Sequence, residues 1–179
     1  MKIIRWILLV TASIIVLVLV IALFIKKEYL IEREITINRP KTEIFEYIKY
    51  LKNQENYSVW ASMDPEMKSE FRGTDGTAGF VSAWESKIDD VGKGEQEIMK
   101  IDDGNRIDYE IRFTEPFENT GNTYLITEIT KDSTTKVRWG YTGKMKYPWN
   151  FMALFMNMEE MPSPDLEKGL NNLKTLLEN

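Results

Sequence analysis

The chain begins with a long apolar stretch, and apolar and polar residues alternate in much of the remaining sequence. Ile7 to Ile25 is 19 residues long and carries no charge. At a helical rise of 1.5 Å per residue, this length nearly matches the roughly 30 Å hydrocarbon core of a bilayer. The stretch is apolar all round and ends in Lys26-Lys27, which favours a retained span over a buried core helix or a cleaved signal peptide. Residues 1–27 are therefore predicted to form an N-terminal transmembrane anchor.

The basic residues around this span bear on its orientation. Two of them precede the span, and four follow it between residues 26 and 39. Cytoplasmic flanks carry an excess of Lys and Arg, so the count favours a single-pass protein of the cell membrane with its soluble part on the cytoplasmic side.

Residues 28–179 are long enough for one domain with a hydrophobic core. This part holds all 28 acidic residues against 19 Lys and Arg, a formal net charge of −9. Such a charge disfavours nucleic acid as a partner. The chain has no cysteine and no histidine, which excludes thiolate nucleophiles, Ser-His catalysis and the usual zinc sites. No metal and no cofactor is expected, and the oligomeric state stays open.

Alternation with a period of two predicts about seven strands. Arg106 to Thr114 is the clearest, because Ile107, Tyr109, Ile111 and Phe113 alternate with polar residues. Short connections rich in Gly, Asp and Asn separate consecutive strands, which predicts an antiparallel meander. The predicted strands are Tyr29–Asn38, Lys68–Arg72, Phe80–Lys87, Gln96–Asp102, Arg106–Thr114, Asn122–Lys131 and Lys136–Thr142.

Helical periodicity appears after the first strand and at the end of the chain. Leucines recur at steps of four, three and four from Leu166 to Leu177, which predicts a helix whose apolar stripe lies on the sheet. Two prolines, Pro162 and Pro164, divide the C-terminal helical region into two pieces. The predicted helices are Thr42–Leu51, Asn53–Val59, Trp149–Met161 and Asp165–Glu178.

This order of elements resembles the START-like (SRPBCC) superfamily, and in particular its polyketide cyclase/dehydrase branch. The resemblance extends over nearly all of Tyr29 to Asn179. It implies an α+β helix-grip fold, in which a curved antiparallel sheet wraps on the long C-terminal helix, here preceded by one transmembrane helix. It also implies a largely apolar cavity between the sheet and that helix, used across the superfamily for lipids, sterols or polyketides. The residues that carry the resemblance are Ile35–Ile48, Tyr57–Trp60, Gly79-Phe80 with Trp84, Gly94–Glu97, Arg106–Tyr109, Thr135–Trp139 and Leu166–Lys174.

Large apolar side chains are predicted to line this cavity, because an apolar pocket with a few polar groups suits a small hydrophobic ligand. For each one singly, ordinary core packing is the alternative interpretation. The predicted ligand-binding residues are Trp60, Phe80, Trp84, Tyr109, Ile111, Phe113, Trp139, Tyr141, Phe151, Phe155 and Met158.

Three further interpretations concern the region before the last helix. Met145, Met152, Met156, Met158 and Met161 form either a ligand gate or ordinary packing. The aromatic run from Tyr147 to Met156 is also suited to contact with a bilayer surface. An inward carboxylate at Glu159-Glu160 would be a candidate acid or base, which we rank well below a surface role.

Three functions are compatible with these observations. The leading hypothesis is a membrane-anchored domain that binds a hydrophobic small molecule, such as a lipid, an isoprenoid or a polyketide-like compound. The second is a cyclase or hydratase, which would have to use tyrosine and carboxylate groups without histidine or cysteine. The third is a cochaperone-like domain that binds a protein partner. An exposed apolar patch outside the cavity would favour this function. No residue is assigned a catalytic role.

Overall fold

The computed structural model describes residues 2–131, 133–155 and 163–179. It shows a long N-terminal helix followed by an α+β domain with one antiparallel sheet. The helices are α1 (Lys2–Phe24), α2 (Lys41–Ile48), α3 (Val59–Met63) and α4 (Ser163–Glu178), with 3₁₀ helices at Leu51–Asn56 and Trp149–Leu154. The strands are β1 (Glu28–Ile37), β2 (Lys68–Arg72), β3 (Val81–Glu85), β4 (Lys93–Asp102), β5 (Arg106–Glu115), β6 (Asn119–Lys131) and β7 (Thr134–Lys144).

The sheet has the order β1-β7-β6-β5-β4-β3-β2, and each neighbouring pair is antiparallel. The predicted fold class, with its meander from β2 to β7, is therefore confirmed. Strand β4 begins three residues before its predicted start, and β7 extends two residues beyond each predicted end. In both strands the added residues pair with a neighbouring strand, for example Lys93 with Glu115 and Lys144 with Glu28. The ends of these strands are set by pairing with a neighbouring strand. The local sequence pattern does not contain this information.

The hydrophobic core fills one half of the concave face of the sheet. Ile44 and Ile48 of α2 are buried there together with Ile98, Ile107 and residues of the neighbouring strands. Helix α4 adds a stripe in which Leu166, Leu170 and Leu173 are all buried, as the leucine spacing predicts.

Arg39 fixes the far end of α4. Its guanidinium donates hydrogen bonds to the carbonyl oxygens of Leu177, at 2.6 Å, and of Glu178, at 3.3 Å. These two carbonyls lie in the last turn of the helix and have no partner within it, so a cation is well placed there.

Strands begin or end together at the opposite end of the sheet, close to α1, and we call this the α1-proximal end. Glu28 of β1 pairs there with Lys144 of β7, and Lys93 of β4 pairs with Glu115 of β5. The 3₁₀ helix Trp149–Leu154 follows β7 at this end and contacts α1. Asn150 lies fully buried in this contact, and its side-chain amide donates to the carbonyl oxygens of Ala22 (2.7 Å) and Ile25 (3.0 Å).

The segment Ile3–Phe24 of α1 is long enough and apolar enough to cross a membrane. A signal sequence near an N-terminus would satisfy the same criteria. The predicted span Ile7–Ile25 lies within this helix except for its last residue, which follows the end of the helix.

Three helix predictions are wrong in part. The predicted helix Thr42–Leu51 ends at Ile48, and Leu51 begins the following 3₁₀ helix. The predicted helix Asn53–Val59 is instead a 3₁₀ helix that ends at Asn56, and α3 begins only at Val59. Between them Tyr57 and Ser58 are buried, so tertiary packing interrupts the local helical pattern. Only Trp149–Leu154 of the predicted piece Trp149–Met161 is described, and it is a 3₁₀ helix; residues 156–162 lie outside the described part of the chain.

The convex face carries charge pairs, as the alternation predicts. Arg112 is held by Glu95 at 2.8 Å, by Glu97 at 2.7 Å and by Glu110. Arg72 also pairs with Glu95, and this contact is the main reason why the pKa of Glu95 lies below its usual value. These acids therefore act in solubility and cross-strand pairing on the convex face.

Candidate functional site

A cavity of about 580 Å³ occupies the other half of the concave face, toward the α1-proximal end. Its volume lies within the range of about 300–1,000 Å³ that small-molecule sites usually show. The wall formed by the sheet consists of Tyr29, Ser69, Ser82, Trp84, Gln96, Ile111, Phe113, Thr123, Trp139 and Tyr141. The remaining wall consists of Leu51, Gln54, Glu55, Ser58, Trp60, Ala61, Met63, Met67, Asp90, Val91, Asp165 and Leu166.

Aromatic rings shape this cavity in two edge-to-face pairs. The rings of Trp84 and Phe113 lie 5.7 Å apart, and those of Trp60 and Trp139 lie 6.4 Å apart. The indole N–H of Trp84 is satisfied by the carbonyl oxygen of Val91 at 3.1 Å. Each pair is therefore held in a defined orientation.

Glycines in the sheet make room for two of the cavity rings. A Cβ atom at Gly94 would lie 2.7 Å from the Trp84 ring, and one at Gly121 would lie 2.6 Å from the Tyr141 hydroxyl oxygen. These rings thus lie against glycine backbone instead of projecting fully into the space beyond. The size of the cavity depends directly on these two glycines.

A pair of tyrosines forms a polar group at the α1-proximal end of the cavity. The rings of Tyr29 and Tyr141 lie 6.1 Å apart, so their hydroxyls are close neighbours. The Asn119 amide donates a hydrogen bond to the Tyr141 hydroxyl at 3.4 Å. Burial raises the pKa of both tyrosines. The hydroxyls therefore stay protonated at neutral pH, where they serve as hydrogen-bonding groups and not as bases.

A second polar group lies deeper in the cavity. The Gln96 side chain, which is buried, donates to Oε1 of Gln54 at 3.3 Å, and the indole N–H of Trp139 donates to Oγ1 of Thr123 at 3.2 Å. An amide has two donors and two acceptors, so Gln96 keeps hydrogen-bonding capacity beyond this one contact. The cavity thus combines aromatic walls with two separate hydrogen-bonding positions.

Six of the predicted ligand-binding residues line the cavity: Trp60, Trp84, Ile111, Phe113, Trp139 and Tyr141. Phe80 and Tyr109 do not line it, because both are almost fully buried in the core. Phe80 stacks on Phe71 with 6.1 Å between the rings, and the Tyr109 hydroxyl donates to the carbonyl oxygen of Ile48 at 3.5 Å. These two residues belong to the half of the sheet that the core covers.

Phe151 and Phe155 are also not among the residues that line the cavity. They form an edge-to-face pair with each other, 6.3 Å apart, next to the contact between the 3₁₀ helix and α1. The last predicted residue, Met158, lies outside the described part of the chain, as do Met156, Met161 and Glu159-Glu160.

Several cavity residues were not predicted from the sequence, of which Tyr29, Met63 and Met67 are the most informative. Among the described residues, the methionines that line the cavity are Met63 and Met67, not the predicted Met145 and Met152. Tyr29 lies two residues before Ile31, so its place in the alternation already indicated the concave face. For Met63 and Met67, which lie at the end of α3 and in the loop after it, the sequence carries no such signal.

Comparisons of the structure agree with this architecture. Norcoclaurine synthase from Thalictrum flavum, solved in complex with dopamine and hydroxybenzaldehyde, matches 84% of this chain and 87% of its own at 11% identity and a TM-score of 0.61. The Aha1 dimer from Colwellia psychrerythraea matches 84% of this chain and 96% of its own at 15% identity and a TM-score of 0.54. At such low identities these likenesses show the helix-grip fold alone.

Sequence comparison then identifies the family. No curated protein matches the chain. The model of one family, described as polyketide cyclase / dehydrase and lipid transport, matches residues 30–178, which is nearly the whole α+β domain. The chain therefore belongs to the polyketide cyclase / dehydrase and lipid transport family, within the START-like (SRPBCC) superfamily.

Proposed function

We propose that residues 1–27 anchor the protein in a membrane and that the domain of residues 28–179 binds a hydrophobic small molecule in the cavity. A lipid, an isoprenoid or a polyketide-like compound would fit. One observation carries this proposal: the cavity, about 580 Å³ in volume and walled mainly by aromatic and apolar side chains, occupies the half of the concave face that is nearest α1. A ligand dissolved in the bilayer would thus have a short path to it.

The polar groups of the cavity suit binding better than proton transfer. An apolar ligand with one hydroxyl or carbonyl group would place its body against Trp84 and Phe113 and its polar end at the Tyr29–Tyr141 pair. A cyclase or hydratase would need a base. Burial keeps these tyrosines protonated, so a carboxylate would have to supply it, and of the three described ones that line the cavity Glu55 and Asp90 are exposed and Asp165 is half-buried. Catalysis therefore takes second place in this proposal.

The experiment is to purify the full chain in detergent, extract it with organic solvent and identify the bound lipids by mass spectrometry. A titration with the fluorescent apolar probe 1-aminoanthracene then measures occupancy of the cavity directly. We expect the probe to bind, and the extracted lipid to displace it. Absence of both an extracted apolar ligand and probe binding would contradict the proposal.

Two matched variants localise the binding. Ser82 and Ala83 are neighbours in β3; Ser82 lines the cavity, whereas Ala83 pairs with Glu95 on the convex face. Ser82→Trp should fill part of the cavity and weaken probe binding at least tenfold, and Ala83→Trp should leave binding unchanged. Equal binding by the two variants would show that the probe binds elsewhere.

A further inference from the structure

The geometry points to a membrane-docking surface at the α1-proximal end of the domain, formed by Trp149, Leu154 and Phe117. The inference rests on the proposed anchor and adds a second contact between the domain and the bilayer. Trp149 is 62% exposed, Leu154 59% and Phe117 81%. Large apolar side chains exposed together mark an interaction surface, and Trp is favoured where lipid headgroups meet acyl chains.

Trp149 and Leu154 lie in a segment that is fixed beside the C-terminal part of α1. The Tyr147 hydroxyl donates to the carbonyl oxygen of Leu19 at 3.3 Å, and Asn150 donates to that of Ala22. Leu19 lies five residues before the end of α1, so at 1.5 Å per residue this contact lies about 7.5 Å inside the end of the helix. Interfacial segments insert by roughly 5–10 Å. The chain from Tyr147 to Leu154 is therefore held beside the part of α1 that enters the bilayer.

Phe117 reaches the same end of the domain from another part of the chain. It lies in the turn between β5, which ends at Glu115, and β6, which begins at Asn119. Pairing of Glu115 with Lys93 places this turn at the α1-proximal end. Together with α1 and the 3₁₀ helix Trp149–Leu154, Phe117 gives the α1-proximal end three separate segments for contact with the bilayer.

The charge around the junction also fits a lipid surface. Lys26, Lys27, Lys144 and Lys146 lie where α1 meets the domain, although residues 28–179 carry a net charge of −9. Lysines close to an anionic membrane favour binding to it. Lys144 is paired with Glu28 at 3.1 Å, so we expect its contribution to be the smallest. These lysines offset part of the repulsion from the acidic residues of this end, among them Asp89, Asp90 and Glu115.

Docking in this orientation would direct a second, smaller cavity toward the bilayer. That cavity has a volume of about 260 Å³ and is lined in part by Phe117. It shares Asp90, Val91 and Phe113 with the main cavity. An apolar molecule leaving the bilayer beside Phe117 would thus reach the ligand cavity along Val91 and Phe113.

Site-directed spin labelling tests the inference, because the chain has no cysteine and one introduced cysteine is labelled alone. The full chain is reconstituted in nanodiscs of equal parts phosphatidylcholine and phosphatidylglycerol, with the label at Leu154→Cys or Phe117→Cys. Val16→Cys, inside α1, is the control for the anchor. Thr74→Cys, exposed in the turn between β2 and β3 at the far end of the sheet, is the control for water. A spin label in the hydrocarbon region is more accessible to oxygen, and a spin label in water is more accessible to a nickel chelate.

We expect labels at Leu154 and Phe117, like the label at Val16, to be more accessible to oxygen than to the chelate. The label at Thr74 should show the opposite. If Leu154 and Phe117 resemble Thr74 while Val16 prefers oxygen, the docking surface is refuted and the anchor stands. If Val16 also prefers the chelate, both the anchor and the docking surface are refuted. Exclusion of both reagents at Leu154, with spin–spin broadening, would show that a second copy covers this face and would overturn the inference.

Discussion

Asn150 offers the sharpest test of how α1 is joined to the domain. Its amide donates two hydrogen bonds, of 2.7 and 3.0 Å, to carbonyl oxygens of Ala22 and Ile25. These carbonyls lie at the end of α1, where the helix supplies no partner for them. The Asn150 side chain therefore acts as a C-terminal cap that belongs to another element. Without it, α1 would keep only the Tyr147–Leu19 hydrogen bond, the Met145–Lys27 backbone hydrogen bond and the packing of the 3₁₀ helix among the described contacts at this point.

The expected loss follows from these two bonds. Net contributions of about 0.5–1.5 kcal/mol each give about 1–3 kcal/mol for Asn150→Ala, or roughly a 5- to 150-fold shift toward the undocked state. The Asn150 Oδ1 atom is buried and has no hydrogen-bond partner among the described residues. Truncation also removes this unsatisfied acceptor, so we expect the lower part of that range. Asn150→Asp should cost more, because a buried carboxylate would face the two carbonyl oxygens.

Limited proteolysis measures the shift. Lys26 and Lys27 are trypsin sites at the junction, and docking should restrict their local opening. We expect trypsin to release the domain from nanodiscs at least fivefold faster for Asn150→Ala than for the unaltered chain, and faster still for Asn150→Asp. Asn171→Ala is the matched control, since that exposed amide donates to the Glu167 carbonyl oxygen within α4.

Two results would refute this reasoning about the junction. One is an unchanged release rate for Asn150→Ala. The other is an Asn150→Asp rate no higher than that of Asn150→Ala, which would mean that the hydrogen bonds are not what holds α1. Thermal unfolding of each variant separates the local effect from global destabilisation, because Asn150 lies outside the core of the domain.

Three further predictions concern the sheet and its cavity. Gly121→Ala should push the Tyr141 ring into the cavity, weaken 1-aminoanthracene binding in a fluorescence titration and cost about 1–3 kcal/mol of unfolding free energy, since the new Cβ would lie 2.6 Å from the hydroxyl. Leu170→Ala should lower the unfolding free energy in urea by about 2–5 kcal/mol, because this side chain is buried in the core. Arg72 lowers the pKa of Glu95 in the folded chain, so this carboxylate contributes stability that is present above its unfolded pKa and is lost as pH falls through its folded pKa. Urea unfolding between neutral and acid pH should show this loss, and Glu95→Gln should reduce it.

Each of these predictions has a control or an opposing outcome. Gly140→Ala would contact the Tyr124 ring on the convex face, so it should destabilise the domain without weakening probe binding. Leu176 is 44% exposed in the same helix as Leu170, and its replacement by Ala should have little effect. An acid-dependent loss of stability that is the same in Glu95→Gln and in the unaltered chain would show that other groups cause it.

The sequence predicts the elements well where the pattern is long and repetitive. The apolar stretch of α1, the alternation in β5 and the leucine stripe of α4 each extend over several turns or pleats, so local preference and burial agree there. The short region from Asn53 to Met63 behaves differently. Its helical segments are brief, and burial of Tyr57 and Ser58 decides where one ends and the next begins.

The candidate site was harder to predict, for a geometric reason. Alternation shows which face of the sheet a side chain occupies, and Tyr109, Ile111 and Phe113 do share one face. It does not show which half of that face the helices cover. Tyr109 lies in the core with α2, whereas Ile111 and Phe113 line the cavity. That division depends on where α2 crosses the sheet, which is a long-range contact.

The division of the concave face also bears on the occupant of the cavity. A volume of about 580 Å³ left dry would leave its walls without contacts, at a cost that grows with the volume. Water or a ligand must therefore occupy it. Water can bond to the Tyr29–Tyr141 pair and to Gln96, but it gains little against the rings of Trp84 and Phe113. An apolar ligand would release that water, and by linkage the loaded domain should be the more stable form. In a chain held at a membrane, the ligand cavity and the stability of the fold would then depend on the same supply of apolar molecules.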